Sequence, residues 1–204
     1  MNSAQSFVFV DCDTQRGMAE MCPGSESALP FIRRLVSLAA DSRLPLISTV
    51  CAFAPDDKVH GETGGICVAG SPGAEKVEGT LLPGAVVIST QRGMDVPRPL
   101  PAQTVLEKLS FDPLSNPNAL AVIEQIYGRT ALLFGLSFER GVIAALRALR
   151  RFGLPCRVVR DAVTIDSPET AAQAEREVME AGSRLVSTDA ALSLVSQRSS
   201  SVSG

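Results

Sequence analysis

Histidine is almost absent from this chain: of 204 residues, only His60 carries an imidazole. A multi-histidine metal site is thereby excluded, and at most one imidazole is at hand for acid–base work. Long apolar runs are missing as well. No stretch approaches the ~18 residues of a membrane span, and the opening MNSAQS does not lead into a secretory signal. Neither sign of charge is in large excess. Nineteen Lys and Arg against 22 Asp and Glu leave a formal net charge of −3, which gives no electrostatic footprint for nucleic acid. Basic residues cluster only at Arg147, Arg150 and Arg151, which read as the solvated C-terminal end of a helix. The five cysteines, Cys12, Cys22, Cys51, Cys67 and Cys156, form no CxxC pair and are odd in number; they read as reduced thiols. No internal repeat is present. These absences predict a cytoplasmic protein with neither a nucleic-acid nor a membrane partner.

The composition, 45% hydrophobic and 20% charged, suits one well-buried core and is short for two. Residues 1–196 are read as a single domain, and the Ser-rich 197–204 as a disordered tail. The segment from Thr130 to Gly153 organises the rest. Ala131 to Phe134 is a continuous apolar run, as a strand covered on both faces requires, and Gly135 lets the chain turn where it leaves the sheet. Val142, Leu146 and Leu149 then recur at helical spacing. Upstream, Phe7 to Cys12 reads as a strand ending at Asp13. Leu29, Ile32, Val36 and Ala39 mark an amphipathic helix, and Leu44 to Val50 a second buried strand. This β-α-β unit predicts parallel strands with a right-handed crossover. Cys51 to Pro83 shows no period. Further strands are expected at Ala85–Ile88, Thr104–Lys108, Cys156–Arg160 and Arg184–Ser187. Helices are expected around Leu120–Ile126, after the Ser167–Pro168–Glu169 start signal, and over Asp189–Val195. Alternating strands and helices predict a three-layer α/β/α domain with a mostly parallel sheet.

Three groups fall at carboxyl ends of predicted strands: Asp13, Lys108 and the turn from Ser137 to Gly141. In an open α/β sheet that edge is where ligands bind. A carboxylate and an ammonium converging on a helix N-terminus suit the orientation of a carbonyl and the stabilisation of its oxyanion, but no nucleophile accompanies them. Gly135-Leu136-Ser137-Phe138-Glu139 comes within one residue of G-x-S-x-G, yet no histidine follows Ser137 to complete a triad. Cys12 adjoins Asp13, but strand alternation would turn its thiol to the other face. Cys12 and Cys51 read first as small buried hydrophobes.

Four segments in order resemble the isochorismatase-like cysteine hydrolases, a family that includes nicotinamidases and N-carbamoyl amide hydrolases. They are FVFVDCDTQRGM at Phe7, ICVAGSPGAE at Ile66, VLEKLSFDPLSNPNA at Val105 and DAVTIDSPETAAQAEREVMEAGSRLVSTDAAL at Asp161. The resemblance implies the α/β/α fold, a catalytic aspartate at Asp13 (with Asp11 the other register) and a catalytic lysine at Lys108. It also implies substrate contacts from Leu136, Ser137, Phe138, Arg140 and Phe53. The family's nucleophilic cysteine falls on Gly141, which has no side chain, so the thioester chemistry is not expected. The places of the metal-binding members' ligands fall on Cys51, Phe53 and Ile66, so neither metal nor other cofactor is expected. His60 lies off that register and reads as a loop histidine. The expected role is that of a non-hydrolytic relative that binds a small amide or carbonyl compound or serves as a structural subunit. The alternative is an active hydrolase of nicotinamide-type or N-carbamoyl-type amides working without a cysteine. Since members are often homo-oligomers, a homo-oligomer is expected.

Overall fold

The computed structural model describes residues 7–54 and 65–201. Seven strands form one sheet: β1 (Phe7–Cys12), β2 (Leu46–Cys51), β3 (Val86–Ile88), β4 (Gln103–Lys108), β5 (Thr130–Gly135), β6 (Cys156–Val163) and β7 (Arg184–Val186). Their spatial order is β3-β4-β2-β1-β5-β6-β7, and every neighbouring pair is parallel. The helices are α1 (Arg16–Met21), α2 (Ser25–Asp41), α3 (Ala119–Ile123), α4 (Ile143–Arg151), α5 (Pro168–Glu180) and α6 (Thr188–Ser201). No helix among the described residues is long and apolar enough to cross a membrane.

The residues of β1, β2 and β5 are buried without exception, so each strand needs apolar cover on both faces. Alternation deals their side chains into two cores. Val8, Val10, Leu133 and Ile47 join Val122, Leu146 and Val178 from α3, α4 and α5 on one face. Phe7, Phe9, Leu132 and Leu46 meet Ile32, Leu35 and Val195 from α2 and α6 on the other. The three-layer α/β/α expectation therefore holds.

Several boundaries differ from the sequence reading. The short α1 was unforeseen, because RGMAEM is too brief to show a period. The central helix does not open as an α-helix: Phe138–Val142 forms one π-helical turn before α4 begins. Strand β6 runs on through Asp161 to Val163, past its expected end at Arg160. Asp161 is tolerated because its carboxylate accepts from the Thr188 backbone N–H at 2.8 Å and the Thr188 hydroxyl at 2.8 Å, capping α6. Helix α6 continues to Ser201, past the point at which the Ser-rich composition predicts order to end. Residues 202–204 and His60 lie outside the described residues.

The start of α5 is as expected, with Pro168 at the first helical position. Ser167 Oγ accepts from the Thr170 N–H at 3.2 Å, and Thr170 Oγ1 accepts from the Ser167 N–H at 3.2 Å, a reciprocal cap. Ser167→Ala removes one half of it and is expected to lower stability by about 1 kcal/mol, read as a shift in the urea midpoint at constant slope.

Candidate active site

The chain moves outward from β1 in one direction through β2, and β5 takes up the other side of β1. The crevice between the carboxyl ends of β1 and β5 is thus the switch point of the sheet, the default ligand site of such folds. Asp13 leaves β1 at this point and the 137–141 turn leaves β5. The topology brings together the residues that the sequence singled out, but it also closes the crevice. Gly135 and Cys12 are register partners, and the Leu136 N–H donates to Cys12 O at 2.7 Å. A Cβ on Gly135 would collide with the Cys12 backbone, and its φ of +126° is open only to glycine.

Asp13 ends the strand alternation. With φ at +56° it is one of two non-glycine residues in the left-handed region among the described residues, and this turn sets its carboxylate against the β5 turn. Cys12 is therefore not simply opposite to Asp13, as alternation suggests, because β1 stops at Cys12. The Asp13 carboxylate is fully engaged. Oδ1 accepts from Thr49 Oγ1 at 2.9 Å and Oδ2 from Lys108 Nζ at 2.8 Å. Lys108, the last residue of β4, also donates to Phe111 O at 3.1 Å, and its Nζ lies 3.7 Å from Cys51 Sγ, Cys51 being its register partner on β2. The Phe111 ring lies 5.3 Å from Nζ and 5.8 Å from the Arg140 guanidinium.

Asp13 and Lys108 both have 0% exposure. Burial raises the carboxyl pKa of Asp13 above its ordinary value, against the pull of Lys108. For Lys108, burial lowers the pKa but is outweighed by Asp13 and then Cys51, so the ammonium is held charged. Two buried charges of opposite sign, each with further hydrogen bonds, satisfy one another.

Gly141 is the decisive residue. A Cβ built on it would stand 2.5 Å from Asp13 Oδ2 and 3.3 Å from Leu136 O, so the carboxylate of Asp13 occupies the space in front of this position. The expected substrate contacts are similarly closed off. Phe53, Leu136, Ser137 and Phe138 are all buried. Phe138 packs in the α4 face of the core, Leu136 and Phe53 in the α2 face. Only Arg140 reaches solvent, where it pairs with Asp166 at 2.8 Å and donates to Ser137 Oγ at 3.3 Å.

A second buried pair lies one step back on β1. The Asp11 carboxylate accepts from Lys76, from Thr14 and, at 3.1 Å, from Ser48 Oγ. It fastens the 66–76 segment to the sheet together with Gln15, whose amide bridges Cys51 O at 2.8 Å, the Cys51 N–H at 2.8 Å and Ala74 O at 2.9 Å. Lys76, Thr49 and Phe111 were missed in the sequence. Thr49 could have been found from strand alternation in β2; the other two lie in segments without a period.

The sequence matches the isochorismatase domain over residues 7–190. The chain belongs to the isochorismatase family. Its fold is similar to that of N-carbamoylsarcosine amidase from Thermoplasma acidophilum, with a TM-score of 0.71 and 19% identity over 91% of this chain and 98% of that one. A pyrazinamidase of Pyrococcus horikoshii, solved in complex with zinc, gives 0.69 and 21% over 89% and 99%. The MAR1 ribonuclease of Caenorhabditis elegans gives 0.66 and 20% over 96% and 83%. No protein of curated function matches the sequence. At these identities the structural likeness speaks for the fold. As for a metal in this family member, no group of three or more His, Cys, Asp or Glu among the described residues is placed to hold one, and the neighbour of Cys51 Sγ is an ammonium. The described residues at these places do not fit a metal centre.

Two predictions follow from the burial. Asp13→Asn and Lys108→Met each strand a partner without water and are expected to cost about 3–5 kcal/mol. The double variant should lose less than the sum by over about 1 kcal/mol, which denaturant titration of the cycle measures. All five thiols are free and buried; burial pushes those of Cys67 and Cys156 up to about 12 and raises the others. The folded chain is therefore expected to resist a disulfide reagent at about pH 8, near the ordinary thiol pKa, and to yield five thiols once unfolded.

Proposed function

We propose that this chain is a family member without cysteine-hydrolase activity, in which the Asp13–Lys108 pair serves as an interior strut and the protein acts as a structural subunit. One observation carries the reading: the carboxylate of Asp13 fills the space in front of Gly141, where the resemblance places the nucleophile. A thiol attacking a carbonyl needs both its own room and room for the substrate. Here Asp13, Lys108 and the 136–138 turn are packed without solvent. The expected binding of a small amide or carbonyl compound at this point has less support for the same reason.

The alternative, hydrolysis of small amides without a cysteine, draws on the presence of both Asp13 and Lys108, because a strut alone has no need of this particular pair. Against it, both carboxylate oxygens of Asp13 are already engaged and Ser137 has Arg140 as its partner, not a base. For the homo-oligomer that a structural subunit would form, the chain has exposed apolar side chains to draw on, Leu81, Val87, Leu109, Leu120 and Tyr127 among them.

The test is hydrolysis of nicotinamide and N-carbamoyl compounds by the native protein and by Gly141→Cys, with chemical denaturation of both. Neither is expected to turn over substrate, and the cysteine variant is expected to lose about 1–3 kcal/mol through overpacking against Asp13. Native turnover that disappears in Asp13→Asn while circular dichroism shows that variant still folded would establish the alternative, and turnover by Gly141→Cys alone would show an active centre lacking only its thiol.

A further inference from the structure

The opposite edge of the sheet holds a cavity of about 340 Å³, within the range of small-molecule sites. It is formed by the segments that enter three strands: the end of α2 with the turn before β2, residues 99–102 before β4, and residues 125–129 before β5. It is therefore separated from the Asp13–Lys108 pair by the length of the strands. Its described lining includes Pro45, Pro99, Leu100 and Pro101, together with Gln125 and two arginines, Arg43 and Arg129, and holds no carboxylate.

Arg43 is the unusual member. It has φ at +52°, at the point beyond a helix end where glycine or asparagine is the usual occupant. Its side chain is exposed, and among the described residues it forms neither a hydrogen bond nor an ion pair. The left-handed turn itself is useful, because the carbonyls of Leu38, Ala39 and Ala40 are satisfied by the N–H groups of Ser42, Leu44 and Arg43 at 3.0, 2.9 and 3.1 Å. The turn does not need an arginine, however, and a strained residue whose side chain has no structural partner points to a use outside the fold. Arg129 is fixed from the other side, its guanidinium donating to Phe7 O at 3.5 Å. Prolines supply rigid apolar walls that bring no N–H groups of their own.

We propose that this cavity binds a small carboxylate with an apolar body, its anionic end shared by Arg43 and Arg129 and its body against the proline walls. A guanidinium fork matches a carboxylate in geometry and charge; the described lining holds no carboxylate, and its one amide, that of Gln125, is spent donating to Pro97 O and Ala121 O. The site is independent of the chemistry at the other edge and holds whether or not that edge is catalytic.

Calorimetric titration of the native protein and of Arg43→Gly with benzoate, benzamide and inorganic phosphate tests this. Glycine suits the left-handed turn, so the variant is expected to fold with unchanged or higher thermal stability. Benzoate is expected to bind the native protein about tenfold or more tightly than benzamide, which lacks the charge. It should also bind more tightly than phosphate, which lacks the apolar body. Arg43→Gly is expected to weaken benzoate by about tenfold or more. Absence of benzoate binding, equal binding of benzamide or phosphate, or benzoate binding unchanged in Arg43→Gly would each overturn the proposal.

Discussion

A single ion pair constrains this molecule more than any other contact. Asp13 and Lys108 stand at the ends of β1 and β4, two strands that are not neighbours, with β2 between them. Taking either charge out of water alone costs several kcal/mol, so each is acceptable only while the other is present. Thr49 and Cys51 of β2, and the carbonyl of Phe111, fill in around the pair. Three strands are thus tied at their carboxyl ends by groups that would otherwise be hydrated. The Asp11–Lys76 pair repeats the device one step back and ties in a segment whose own regular structure is a single 3-10 turn, Pro72–Ala74.

Such a tie requires close approach, and two glycines permit it. Gly135 lets β5 meet the backbone of Cys12, and Gly141 lets the following turn meet the carboxylate of Asp13. The crevice that an α/β sheet offers at its switch point is consequently filled by the protein's own atoms. Family membership and the filled crevice are compatible: the fold brings a carboxylate and an ammonium together at the carboxyl edge of the sheet, where they neutralise each other. In this chain both groups have 0% exposure, and Phe111 lies against the ammonium.

Much of the architecture was legible because fully buried strands and amphipathic helices leave strong patterns. FVFVDC, TALLFG and the stripe through α2 each identify their element, and Asp13 and Lys108 were found because both directly follow or close such a strand. What was not legible depends on geometry that residue types leave open. The left-handed turn at Asp13 breaks the alternation on which its direction was judged. The π-helical turn at Phe138–Val142 looks like ordinary helix in sequence. The turn residues that look like pocket walls are core, because burial of a loop residue is decided by what packs over it. Lys76 and Phe111 sit in aperiodic stretches, where no local rule identifies a partner far along the chain.

The strand order has a consequence for how the chain is made. The first two strands to leave the ribosome, β1 and β2, occupy the middle of the sheet, yet their outer neighbours are β5 and β4, encoded much later. Until Gln103–Lys108 and Thr130–Gly135 have been synthesised, this early pair has both its lateral edges open. Asp11 and Asp13 lie at the end of that pair. Before Lys76 and Lys108 arrive, they are unpaired carboxylates that keep one end of a nascent hydrophobic ribbon wet.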